Sequence, residues 1–170
     1  MDNAYNGLNE ITDKLYLGNF LGAFNVDNLK SLGIKKVLSV MNGYFSRYKD
    51  SDNIIQKTLP VNDSLEQNII KYFGESLNFI KGDDKVLVHC AAGVSRSASI
   101  VVAYIMWDKK MSFEEAFEFV ESKRNIGPNN GFIEQLKLFE KELIEKNYDI
   151  DKIKFEEIKW EPKNYYDYDL

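Results

Sequence analysis

"VHCAAGVSRSAS", Val88 to Ser99, decides how this chain folds. It holds the only cysteine, Cys90, the only histidine, His89, and one of three arginines, Arg96, in a chain that otherwise carries 19 lysines. Just upstream, "KVLVH" is apolar at three successive positions, the pattern of a central strand buried on both faces. Just downstream, "SASIVVAYIMW" is apolar nearly all round, the mark of a helix buried in the middle of a domain. Between them lies a short loop containing Gly93. A strand that stops at Cys90, a loop, and a helix that begins near Arg96 together make an anion site. The backbone N–H groups of such a loop and the positive end of the helix cradle a tetrahedral dianion. Ala91, Ala92, Gly93, Val94, Ser95 and Arg96 would form the cradle, with Cys90 beneath it. The helix dipole and the guanidinium favour thiolate over thiol, so Cys90 reads as a nucleophile. The planar fork of Arg96 holds two oxygens of the anion at once, which an ammonium cannot do.

Working outward, short β-rich runs alternate with helical ones, which predicts a three-layer α/β/α fold around a mostly parallel sheet of about five strands. "KLYLGN", "KKVLSVM" and "IIQKTLPV" read as strands, and "NVDNLKSLG" as a helix closed by Gly33. "SLEQNIIKYFGESLNFI" reads as an amphipathic helix, with Ser64 and Gln67 spaced as a capping box. Ser112 and Glu115 form a second such box, and Phe132, Leu136, Phe139 and Leu143 line the last long helix. The intervening "RNIGPNNG" is a loop. From about Asn147 the periodicity weakens. Residues 8–147 therefore read as one domain, and 148–170 as an acidic, aromatic extension, packed on it or partly mobile.

The totals narrow the partners. At 170 residues the chain has room for one core. A net charge of -5 makes a nucleic acid an unlikely main partner, since nonspecific binding there draws on clustered lysine and arginine. A lone cysteine forms no internal disulfide, and "MDNAYNGLNE" has neither a basic nor an apolar leader region, so an intracellular protein, cytoplasmic or nuclear, is expected. No membrane anchor is evident: "SASIVVAYIMW" is about half the roughly 20 residues a span requires.

The Val88–Ser99 stretch resembles the protein tyrosine phosphatase signature, H-C-x5-R followed by serine. "LPVNDSLEQ" and "RNIGPNNGF" resemble the small, atypical dual-specificity phosphatases, so the likeness runs from about Leu15 to Glu145. It implies hydrolysis of phosphotyrosine and of phosphoserine or phosphothreonine in phosphoprotein substrates, through a phosphocysteine at Cys90. No metal and no cofactor are implied. By the same resemblance Arg96 would steady the transition state, Asp63 in "PVNDS" would protonate the leaving oxygen, and Ser97 would ease the departure of the sulfur. His89 would orient the loop from behind, and Asn129 would brace it. Read from local sequence alone, Asp63 fits a solvated loop carboxylate, Ser97 a first-turn serine and Asn129 a turn residue after Pro128. Arg124 fits either a cleft-rim arginine for a second phosphate or acidic side chain, or a solvated helix-end arginine. An optimum at mildly acidic pH is expected.

Ala91 to Ser95 carry no lysine, which lowers the odds of a phosphoinositide substrate. The rival functions are a phosphoprotein-binding pseudophosphatase and an RNA 5′-triphosphatase on the same scaffold. The first conflicts with the presence of Cys90, Arg96 and Asp63 together, and the second with the acidic balance. Two expectations follow from composition. Oxidised Cys90 would need a sulfenamide or a small thiol to recover, and the tyrosines of "KNYYDYDL" look like phosphorylation sites in a tail that either is solvated or occupies its own or a neighbour's cleft.

Overall fold

The computed structural model of the chain describes residues 7–43 and 48–163. Its sheet is built around β5 (Lys85–His89), the strand that ends at the cysteine. β2 (Leu15–Gly18) and β3 (Ile34–Val40) flank it in parallel, and β4 (Ile55–Leu59) lies parallel to β3 at one edge. β1 (Leu8–Glu10) pairs antiparallel with β2 at the other edge, giving the order β1-β2-β5-β3-β4.

Strand periodicity then sorts the side chains into two cores. Leu15, Leu17, Leu38, Val40, Val86 and Val88 face one side, and Tyr16, Val37 and Leu87 face the other. The smaller side is closed by α1 (Phe20–Phe24) and α2 (Val26–Leu32), through Ala23 and Leu29. The larger is covered by α3 (Phe73–Ile80), α4 (Arg96–Asp108), α5 (Phe113–Glu121) and α6 (Asn130–Glu145). This is the three-layer α/β/α architecture read from the sequence, with five strands and one antiparallel edge. The caps at Gly33, in the left-handed region at φ 79°, and at Ser112, whose hydroxyl accepts from the Glu115 N–H, form as expected.

One expectation is corrected. No helix starts at Ser64. A 3₁₀ turn at Ile70–Tyr72 leads into α3, and the Gln67 side chain accepts from the Asn62 N–H at 2.9 Å instead of closing a capping box. The physical reason is a tertiary cap. Buried Gln135 of α6 accepts from the N–H groups of Ile69 and Ile70 at 2.8 and 3.0 Å and donates to the carbonyls of Gln67 and Gly131. Strand β1 and helix α1 were also not read, being three and five residues long, too short to show a period.

Beyond α6 the chain returns over the larger core. Ile150, Ile153 and Phe155 are buried in it, and the Phe155 ring lies over Gly74 and packs on Phe139 at 5.9 Å. Phe155→Ala should lower stability by about 3 kcal/mol, from lost burial plus the cavity left on α3, as read by urea unfolding. The tyrosines from Tyr165 onward lie outside the described residues. Among the described residues no helix is long and apolar enough to cross a membrane.

Candidate active site

The site forms where β5 runs out. Parallel strands end together, and the turn from β5 into α4 opens at that edge of the sheet. Gly93 makes the turn possible. It has φ +68°, and a Cβ there would meet the Gly18 carbonyl oxygen at 2.5 Å and the Arg124 guanidinium at 2.7 Å, so only glycine fits. The first-turn N–H groups of α4 have no acceptors within the helix, and they open toward the loop.

Cys90 sits at the base of this turn, 2% exposed. Its sulfur accepts from the Gly93 N–H at 3.3 Å and from the Ser97 hydroxyl at 3.1 Å. Burial alone pushes the thiol pKa up. The Ser97 hydroxyl, the backbone N–H groups of Ser97 and Gly93 and the charge of Arg96 together outweigh it, so the pKa lies below the ordinary thiol value.

His89 is fully buried behind the cysteine, and its two nitrogens do different work. Nδ1–H donates to the Cys90 carbonyl at 3.2 Å, and Nε2 accepts from the Ser39 hydroxyl at 2.6 Å. Ser39 in turn accepts from the Gln56 amide at 3.0 Å. This is the tautomer that gives each proton in the chain an acceptor. Burial pushes the His89 pKa down to about 4, against a smaller opposing effect of the hydrogen bond to Cys90. An unfolded histidine takes up its proton near pH 6.5, which the folded one refuses until about pH 4. Stability from this group is therefore full above the unfolded pKa and is lost as pH falls through the window between the two values. Between about pH 7.5 and about pH 5 the loss should be about 2 kcal/mol, and urea unfolding of wild type and His89→Gln at the two pH values measures it. The loss should be smaller in the variant.

Asp63 reaches the same turn from the loop after β4. Its Oδ1 accepts from the Ser95 hydroxyl at 2.7 Å and from the Asn129 amide at 2.9 Å. Asn129 also donates its backbone N–H to Ser95 Oγ at 3.0 Å and caps α6 by accepting from the Phe132 N–H. It is thus a brace and a cap at once. Arg96 adds a further tie, donating to the Val61 carbonyl of the Asp63 loop at 3.2 Å, which uses one of its five N–H donors.

Arg124 stands beside the loop and ties it to β1. Nε donates to the Gly93 carbonyl at 3.0 Å, Nη2 to the Ala92 carbonyl at 3.2 Å and Nη1 to the Asn9 side chain of β1 at 2.8 Å. Burial lowers its pKa, opposed by the negative charge of Cys90. The structure brings Cys90, Arg96, Ser97, Asp63, His89 and Asn129 together. Asn9, Ser39 and Gln56 were not found by sequence reasoning. Ser39 alone left a trace, as a polar residue inside the apolar run of a central strand. Among the described residues no group of three His, Cys, Asp or Glu side chains could hold a metal ion.

A buried thiol of lowered pKa under a turn of backbone N–H groups, with Arg96 and the Asp63 carboxylate tied to the same turn, is an arrangement that can displace a phosphoryl group. The family model for the dual specificity phosphatase catalytic domain matches residues 15–142. The chain belongs to this dual specificity phosphatase family. Human dual specificity protein phosphatase 6 is 37% identical to it over 139 residues, 79% of this chain and 36% of that protein. The MAP kinase phosphatase with leucine-rich repeats protein 1 of Dictyostelium discoideum is 42% identical over 137 residues, 78% of this chain and 16% of that one. The chain thus spans little more than a third of the first of these curated relatives and less of the second. Among solved structures, DUSP15 is similar at TM-score 0.79 and 32% identity, covering 86% of this chain and 96% of that one. The human tyrosine phosphatase-like serine/threonine/tyrosine-interacting protein is similar at TM-score 0.75 and 33% identity, covering 81% and 97%.

Proposed function

We propose that this dual specificity phosphatase hydrolyses phosphotyrosine and phosphoserine or phosphothreonine in proteins through a phosphocysteine intermediate. The observation that carries the reading is the Cys90 sulfur, which accepts from the Gly93 N–H and the Ser97 hydroxyl and whose pKa these contacts and the charge of Arg96 lower against the opposing effect of burial. In the first step Cys90 Sγ attacks phosphorus, the phosphorus–oxygen ester bond breaks, and Asp63 protonates the leaving oxygen. The loop N–H groups and the Arg96 fork hold the three equatorial oxygens throughout. In the second step Asp63 takes a proton from water as it attacks phosphorus, and the thiolate leaves. Ser97 already donates to that sulfur, so it stabilises the charge as it forms. Asn129 and Ser95 keep the acid over the loop, and His89 and Arg124 fix the loop's shape from behind and beside. We assign the catalytic domain to residues 8–147, with 148–170 an extension whose first half completes the core. An intracellular setting suits a lone thiol that must stay reduced.

The test is phosphate release from p-nitrophenyl phosphate and from phosphotyrosine and phosphothreonine peptides, with and without chelator. Turnover that resists the chelator is expected; none in the folded protein would favour a phosphoprotein-binding role, and turnover confined to an RNA 5′-triphosphate the other rival. Ser97→Ala sharpens the two-step scheme. Loss of a hydrogen bond to a charged group should slow thiolate departure about 10- to 100-fold in kcat while leaving kcat/KM within about threefold. The acidic limb of the pH profile should also move up, since a contact that lowers the Cys90 pKa is gone.

A further inference from the structure

Helix α1 begins against the phosphate loop, and its first two residues are large and apolar. Phe20, the first residue of that helix, donates its N–H to the Ala91 carbonyl of the phosphate loop at 3.2 Å, one residue from the nucleophile. Phe20 is 40% exposed and Leu21 60% exposed, large fractions for side chains of this kind. Phe24 packs edge-on against Phe20, with ring centroids 5.6 Å apart, and so holds its ring in place. On the loop itself Val94 is 39% exposed. From Asn19 to Val26 and from Ala91 to Ser95 there is no charged side chain. Arg124, the nearby cation suited to reading an acidic neighbour, spends three donors on Gly93, Ala92 and Asn9.

We propose that Phe20, Leu21 and Val94 form a substrate-reading surface that selects phosphopeptides with a large apolar residue within two positions of the phosphoresidue. The inference rests on the phosphatase reading of the cleft. A peptide whose phosphoryl group sits over Cys90 must run its backbone across the mouth. With about 3.8 Å between successive Cα atoms, its next one or two residues land on the rim that begins at Ala91 and Phe20. An apolar side chain there removes its own surface and that of Phe20 and Leu21 from water, whereas an acidic one loses hydration against that apolar surface. The surface continues directly from the catalytic cleft, and the acidic chain as a whole disfavours an anionic membrane as its occupant.

The test compares two phosphotyrosine peptides of equal charge, one with leucine and one with serine on both sides of the phosphotyrosine, alongside p-nitrophenyl phosphate, which is too small to reach the rim. Wild type should favour the leucine peptide in kcat/KM by about tenfold, the effect of burying one such side chain. In Leu21→Ser and in Phe20→Ser with Leu21→Ser the ratio should fall to about twofold, whatever the rate on p-nitrophenyl phosphate. Equal rates on the two peptides, with p-nitrophenyl phosphate still hydrolysed, overturn the proposal. No hydrolysis of p-nitrophenyl phosphate by folded wild type overturns the phosphatase reading itself. Sedimentation of wild type, but not of the double variant, with phosphatidylcholine vesicles would assign the patch to a lipid surface. Concentration-dependent dimerisation that the double variant loses would assign it to a second copy of the chain, and either result overturns the proposal.

Discussion

Cys90→Ser should abolish turnover, with kcat on p-nitrophenyl phosphate falling roughly 10⁴- to 10⁶-fold, as expected when the nucleophile itself is removed. The contacts that favour a thiolate here do not make an alkoxide. A serine hydroxyl starts several pKa units above a thiol, and the hydrogen bonds from Ser97 and Gly93 plus the charge of Arg96 do not close that gap. The fold should survive. Cys90 is the only cysteine, so no disulfide is lost, and serine keeps an acceptor for the Gly93 N–H and the Ser97 hydroxyl. Phosphate binding should therefore persist, and competition by inorganic phosphate for a fluorescent substrate analogue separates loss of chemistry from loss of the site. Unchanged turnover in Cys90→Ser would assign the nucleophile elsewhere.

Asp63→Asn should lower kcat/KM by about 10²- to 10⁴-fold on substrates with a poor leaving group, such as a phosphothreonine peptide, and by less than about tenfold on p-nitrophenyl phosphate. The contrast follows from chemistry. A threonine alkoxide cannot leave without a proton, whereas p-nitrophenolate is already a stable anion. The substitution is mild for the structure, because the asparagine oxygen can still accept from Ser95 and Asn129. A purely structural role for Asp63 would depress both substrates alike, so the ratio between them is the informative quantity.

The sequence showed most where the chemistry is local. Cys90, Arg96 and Ser97 lie on one strand, turn and helix, and a run such as "KVLVH" followed by an apolar helix can only be buried in the middle of a layered domain. The assignment of Asp63 came instead through resemblance. Nothing in "PVNDS" alone says that a hydroxyl 32 residues away and an amide 66 residues away will meet on one carboxylate oxygen. The same limit hid the rest. Gln135 caps a turn 66 residues upstream, Gln56 reaches His89 through Ser39, and Arg124 grips a loop 31 residues before it and a strand 115 residues before it. Each is a polar contact between distant segments, and no local period carries it. The Ser64–Gln67 spacing failed for the same reason: the local motif was present, but Gln67 accepts from Asn62, and the turn that leads into α3 begins later, where Gln135 accepts from Ile69 and Ile70.

The measurement closest to the central claim is a rapid acid quench of Ser97→Ala protein mixed with p-nitrophenyl phosphate, read by mass spectrometry of the peptide containing Cys90. With departure of the thiolate slowed, a burst of p-nitrophenol near one equivalent should coincide with a phosphoryl adduct on Cys90 that decays as the substrate is exhausted. Steady turnover with no burst and no adduct on Cys90 would contradict a phosphocysteine route.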